Sequence, residues 1–192
     1  MTARIAPADR PYEPDMEETL EKLMQGAEPL LLFRTLARDP RLFRRFMAGG
    51  LLDKGTITLR EREIAIDRTC ARCRGEYEWG VHIALFAEAA GFGPEEIEAT
   101  VAEGSEAPCW TERERLILRL VDQLHDTATV DDGLWAELAR AFHDEQLIEL
   151  IMLTGFYHMV SFVVNATRLP PEPYAARFPA GGREADVRKV RP

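Results

Sequence analysis

From Glu17 onward, apolar residues recur every three or four positions, and no stretch alternates apolar with polar for long enough to make a half-buried strand. Glu17 to Gln25 puts Leu20, Leu23 and Met24 on one helical face. Pro29 opens a second helix through Leu31, Leu32 and Leu36, which stops near Asp39-Pro40. Pro40 fits the first position of a third, PRLFRRFMAG, closed by Gly49-Gly50. Thr58 followed by Glu61 reads as a capping box for LREREIAIDRTCARC. A break near Arg74-Gly75 is followed by EYEWGVHIALFAEAAG, ending at Gly91 or Gly93. PEEIEATVA, WTERERLILRLVDQLH, DDGLWAELARAF and DEQLIELIMLTGFYHMVSFVVNAT complete the set. The expectation is an all-α, compact multi-helix domain over residues 15–168.

The ends break this pattern. Residues 1–14 are rich in proline and charge and are expected to form an arm. Residues 169–192, with Pro170, Pro171, Pro173, Pro179 and Gly181-Gly182, are expected to be a flexible tail outside the core, locally basic from Gly182 onward. Within the domain there is an internal echo. FAEAAGFGPEEIEA, from Phe86, aligns with AELARAFHDEQLIE, from Ala136, and TLREREIAI before the first resembles TERERLILR before the second. That pattern fits a duplicated helical hairpin and equally a chance likeness between amphipathic helices, and either way it supports the all-helical reading.

Length and charge narrow the function class. A chain of 192 residues with 46% hydrophobic and 30% charged residues suits one well-buried domain. A net charge of -9 disfavours nucleic acid and anionic membrane as partners, which leaves a small-molecule substrate and other protein chains. The longest apolar run, from Leu147, is interrupted by Glu149 and His158 and reads as a core helix rather than a membrane span. The first sixteen residues have no apolar targeting segment, so the expected address is cytoplasmic. Three cysteines, Cys70, Cys73 and Cys109, are too few for a disulfide framework.

The candidate chemistry lies in TCARCRGEYEWGVH, from Thr69 to His82. Cys70 and Cys73 form a C-x-x-C pair with Arg72 and Arg74 beside it, a pattern that suits a redox dithiol. The same pair sits inside the apolar pattern of its helix and reads equally as two buried small hydrophobes. No second C-x-x-C or H-x-x-x-H completes four ligands, so no metal and no other cofactor is expected. Glu78 and His82 are one helical turn apart, close enough for the carboxylate to raise the imidazole's proton affinity and orient it as a general acid or base. Tyr77 and Trp79 would wall this pair, and Glu63, on the preceding helix, would approach across the turn.

R-E-R-E-I-A-I, then E-Y-E-W-G-V-H-I-A-L-F-A-E-A-A-G, then P-E-E-I-E-A resembles the carboxymuconolactone decarboxylase family, which also contains the alkylhydroperoxidase D-type thiol peroxidases. The likeness is clearest from Thr58 to Val101. It implies an all-helical fold, a homo-oligomer, and a site close to subunit contacts. The peroxidase branch has a glutamate, a C-x-x-C twelve residues later, and a histidine four beyond the second cysteine. Counted from Glu63, those positions fall on Gly75, Glu78 and His82, so the glutamate and histidine match and both cysteines are replaced. By resemblance the decarboxylase branch keeps the histidine and an acidic neighbour and needs no thiol. The resulting expectation is a cofactorless enzyme using His82, Glu78 and Glu63 for proton transfer on a small organic acid, lactone or carbonyl compound. Two alternatives stay open: a thiol peroxidase or disulfide oxidoreductase using Cys70 and Cys73, and a non-catalytic ligand-binding oligomer.

Overall fold

A computed structural model describes residues 3–179 and shows nine α-helices and no strand among them. The order is α1 (Pro14–Met24), α2 (Leu31–Leu36), α3 (Pro40–Gly49), α4 (Leu59–Arg72), α5 (Glu76–Ala90), α6 (Pro94–Val101), α7 (Glu112–Thr127), α8 (Asp132–Ala141) and α9 (Asp144–Thr167), with a short 3-10 turn at Gly104–Glu106. The caps fall where sequence chemistry places them. Asp39 accepts from the Leu42 N–H at the start of α3, and Thr58 and Glu61 close the capping box of α4. Arg74, with φ 55°, separates α4 from α5.

The core is organised around α4, which packs against α5, α6, α7 and α9. Every residue from Glu63 to Cys70 is buried, so this helix has no solvent face over two turns. The polar side chains Glu63, Asp67 and Cys70, spaced four and three apart, lie along one stripe of that buried segment. By length and composition α9 is apolar enough to cross a membrane, but one of its faces lies on α4, α5, α7 and α8, as expected of a core helix.

The internal echo has a physical counterpart. Thr58 and Thr111 cap α4 and α7 in the same way, and the arginine in the first turn of each helix reaches the capping glutamate of the other: Arg60 to Glu114 at 2.5 Å and Arg113 to Glu61 at 2.6 Å. Arg60 also covers the Phe92 ring and bonds the Ala90 and Gly91 carbonyls and Glu96. Arg113 covers the Phe142 ring and bonds the Ala141 carbonyl and Gln146. The partners of one arginine are thus matched, fifty residues on, by those of the other. The two echoing segments meet through reciprocal charge-assisted bonds. The bonds from Thr58 and Arg113 hold the Glu61 carboxyl below its usual range despite burial, which acts the other way; those from Arg60 and Thr111 do the same for Glu114.

The two ends differ from expectation. The arm lies on the body: Arg4 N–H donates to the Thr167 carbonyl at 2.7 Å and Ala8 N–H to that of Arg34 at 2.9 Å. Residues 169–178 are also packed. Leu169 belongs to the core, Ala176 N–H donates to the Gly80 carbonyl at 3.0 Å, and the Phe178 ring lies 5.0 Å from Trp79. A flexible tail starting at Leu169 is therefore not what the chain forms. Gly80 explains the docking, since a Cβ there would stand 2.2 Å from the Ala176 carbonyl oxygen. Proline content signalled the absence of helix correctly and said nothing about whether the extended segment binds a helix. The basic stretch from Gly182 lies outside the described residues.

Replacing either capping threonine, Thr58→Ala or Thr111→Ala, is expected to lower unfolding stability by about 1 kcal/mol, read from urea denaturation midpoints.

Candidate active site

Three helices bring their polar residues to one buried place. Glu63 and Asp67 come from α4, Glu78 and His82 from α5, and Tyr157 from α9. His82 is 3% exposed and Glu63 1%, which makes this an ion pair withdrawn from water rather than a surface contact. His82 Nδ1–H donates to Glu63 Oε2 at 2.7 Å, and Arg62 Nε–H donates to the other oxygen of the same carboxylate at 2.9 Å. On the opposite edge of the ring, Nε2 lies 3.0 Å from Tyr157 Oη and 3.5 Å from Glu78 Oε1. Burial alone would discharge the imidazole. Its contacts with Glu63 and Glu78 outweigh that and push its pKa from 6.5 up to about 10.

This geometry exchanges the roles expected of the two glutamates. Glu63 orients the ring through Nδ1, and Glu78 faces the working edge at Nε2 with its second oxygen, Oε2, buried and unbonded to any protein group. Asp67 is a residue that pattern reading passed over. It is 1% exposed, Oδ1 has no protein partner, and burial together with the neighbouring Glu63 pushes its carboxyl well above the usual range against the pull of His82. Its position one turn beyond Glu63 was the available signal. Tyr157 carried no such signal, because only the tertiary fold brings it to His82. Burial, reinforced by Glu78, keeps its phenol protonated.

Tyr77 and Trp79 do not wall this site. The Tyr77 hydroxyl donates to Glu172 Oε1 at 2.5 Å and accepts from the Leu32 N–H at 3.1 Å, and Trp79 Nε1–H donates to Thr100 Oγ1 at 3.0 Å. At about 100° per residue, positions on either side of Glu78 leave its face. The rings beside His82 are Tyr157, at 5.1 Å, and Phe86, one turn further along α5, at 5.2 Å. Phe86 also lies under the Arg62 guanidinium, 5.5 Å away. Arg62 also borders a surface recess of about 260 Å³ lined by Asp53, Lys54, Ile57, Thr58 and Glu149.

The two cysteines are free and face different surroundings. Cys70 is fully buried, and burial together with Glu78 and Asp67 raises its thiol pKa well above the ordinary value. Cys73 is half-buried at the end of α4, also raised by burial, with its sulfur 3.9 Å from His125 Nδ1. Gly75, where the peroxidase pattern has its first cysteine, has little space for a side chain: a Cβ would stand 2.8 Å from Ser161 Oγ.

Residues 40–123 match the profile of the carboxymuconolactone decarboxylase family. Among solved structures, an uncharacterized peroxidase-related protein from Silicibacter sp. TM1040 superposes with a TM-score of 0.80 at 19% identity, over 93% of this chain and 96% of that one. Over residues 40–123 the chain resembles the carboxymuconolactone decarboxylase family, and it shares the all-helical fold of such structures. A peroxidase-related protein from Ralstonia eutropha JMP134, described as an alkylhydroperoxidase core, gives a TM-score of 0.76 at 20% identity over 90% and 95%. A cysteine-to-alanine variant of the debrominase Bmp8, in complex with 2,3,4-tribromopyrrole, gives 0.74 at 19% over 91% and 94%. At these identities the likeness shows the fold alone and leaves the reaction to be argued from the site. Comparison with curated proteins by sequence gives no match.

Removing the negative partner from the buried imidazolium, Glu63→Gln, is expected to cost about 3 kcal/mol or more in unfolding stability. Because the folded-state pKa of His82 is raised, its stabilising contribution is complete below the unfolded value near 6.5 and is lost as pH rises toward about 10. Denaturation midpoints should therefore fall across that window in the parent protein and fall less steeply in His82→Gln.

Proposed function

We propose that this protein is a cofactorless enzyme that moves a proton on a small organic acid, lactone or carbonyl compound. The observation carrying this reading is the edge of His82 at Nε2, where a charged N–H, a protonated phenol and a carboxylate oxygen with no partner converge. Glu78 Oε2 takes the proton from carbon beside the substrate's carbonyl. His82 Nε2–H and the Tyr157 hydroxyl stabilise the negative charge that develops on the carbonyl oxygen; His82 then protonates the product, and the proton held by Glu78 passes to His82 Nε2, 3.5 Å from Glu78 Oε1, to restore both groups. Glu63 never meets substrate in this scheme; it keeps the imidazole charged and fixed. A charged donor and a charged acceptor side by side in a water-poor site match the pairing of acid and base roles that proton abstraction requires.

Lys54 and Arg62 line the recess together with Asp53 and Glu149, and the half-buried Phe86 lies against both Arg62 and His82. Thiol chemistry at Cys70 gains nothing from Glu78, whose negative charge raises the thiol pKa. It is opposed by the burial and raised pKa of that thiol. We also assign the protein a homo-oligomeric state. Ile148, Met152, Met159 and Phe162 are exposed along α9, with Gly155 completing the alternation of four- and three-residue steps that forms a helix-pairing seam.

On a panel of carboxylated lactones and keto acids, Glu78→Gln and His82→Gln are each expected to lower kcat by about 10²–10⁴-fold, with Tyr157→Phe intermediate. Turnover unchanged in Glu78→Gln would remove the scheme. A peroxide pulse that converts Cys70 and Cys73 to a disulfide would move the chemistry to the thiols. Phe162→Glu is expected to lower the molar mass in solution, measured by light scattering, if α9 forms the seam.

A further inference from the structure

A second cluster lies on the other side of the α4–α5 junction, and the scheme above makes no use of it. Cys73 caps the end of α4, His125 sits in the last turn of α7 and His158 lies midway along α9. Cys73 Sγ, His125 Nδ1 and His158 Nε2 all lie within 4.8 Å of one another. We propose that these three side chains form a binding site for one Zn²⁺-class ion, with the fourth coordination position open to solvent.

The atoms that converge decide between an ion and a proton relay. The 3.9 Å contact from Cys73 and the 2.9 Å contact from His158 both reach His125 at the same nitrogen, Nδ1. A thiol–imidazole relay uses the two ring nitrogens separately, one for the thiol and one for the orienting group. In the metal-free cluster His125 Nδ1–H donates to His158 Nε2, and a metal ion takes the place of that hydrogen once the His125 proton moves to Nε2, with Cys73 Sγ closing the third position. Metal–nitrogen bonds of about 2.0–2.1 Å and metal–sulfur bonds of about 2.3 Å place tetrahedral ligands roughly 3.3–3.6 Å apart. The two measured separations differ from this by only about half an ångström, within the reach of small side-chain rotations.

The outer partners agree. His158 Nδ1–H donates to the Thr154 carbonyl at 2.9 Å, which leaves Nε2 as the lone-pair nitrogen, the arrangement usual for a ligating histidine. The Asn165 amide donates to the Cys73 carbonyl at 2.8 Å and fixes the residue carrying the sulfur. The nearby Arg72 charge is countered by ion pairs with Asp126 and Asp122. Thiolate plus two imidazoles favours zinc over magnesium or calcium, and half-burial of all three residues leaves room for water as the fourth ligand. Binding converts the Cys73 thiol to thiolate with release of its proton to solvent. It also ties the end of α4 to α7 and α9 immediately before the turn that positions α5. Sequence spacing hid the site because its ligands are 52 and 33 residues apart.

The test uses Co²⁺ as a spectroscopic probe on the full chain, followed by displacement with Zn²⁺. One equivalent of Co²⁺ should give tetrahedral visible bands with a thiolate charge-transfer band in the near ultraviolet, and Zn²⁺ should erase both. Cys73→Ala should lose the charge-transfer band, and Cys70→Ala and Cys109→Ala should keep it. His125→Gln and His158→Gln should each weaken Co²⁺ binding by more than the roughly 10–100-fold cost of losing an outer-shell partner. In the unmutated chain, Zn²⁺ should slow alkylation of Cys73, a readout independent of how any variant folds. A charge-transfer band that survives in Cys73→Ala, or Cys73 alkylation unaffected by Zn²⁺, would overturn the proposal. None of these readings depends on turnover at His82.

Discussion

The buried pair between Glu63 and His82 sets the conditions for everything around it. Two charges taken out of water at 2.7 Å are tolerable only because each keeps further partners: Arg62 on the carboxylate, Tyr157 and Glu78 on the imidazole. That requirement fixes the relation of α4 to α5, because the two partners come from opposite sides of the Arg74 turn. It also explains why α9, the longest helix, carries a tyrosine among its buried leucines and valines. The pair has the consequence of leaving one ring edge charged and free to act, so the same constraint that holds the helices together creates the chemistry.

The reciprocal arginines form a frame around this centre. Each arginine bonds the capping glutamate of the other helix, so α4 and α7 start in a fixed relation and α4 can be buried on all sides over its middle turns. Helices α4 and α5 contribute Glu63, Asp67, Glu78 and His82, and α9 contributes Tyr157, to the site. The polar centre thus lies where α4 and α5 meet α9.

Much of this was legible in the chain. The helices are local: capping threonines, prolines at first turns and glycines at ends act over three or four residues, and a one-dimensional pattern records them. Glu63, Glu78 and His82 were found because two of them share a helix face and the third belongs to a family spacing. What was hidden depends on tertiary approach. Nothing in LTGFYHMV says that Tyr157 meets His82, and nothing in the spacing of Cys73, His125 and His158 says that they meet one another. Tyr77 and Trp79 were misplaced for a different reason, since nearness in sequence to Glu78 points a helical residue away from its face. The packed segment after Leu169 was missed because extended backbone docking on Gly80 leaves only a helical glycine as its trace.

The charge on the His82 imidazole is the central claim, and nitrogen NMR of the ring in specifically labelled protein reads it directly. The account predicts that both ring nitrogens stay protonated through neutral pH, with titration displaced upward toward about 10 and restored toward the ordinary value in Glu63→Gln. A ring that is neutral at pH 7.5 and titrates near 6.5 would contradict it.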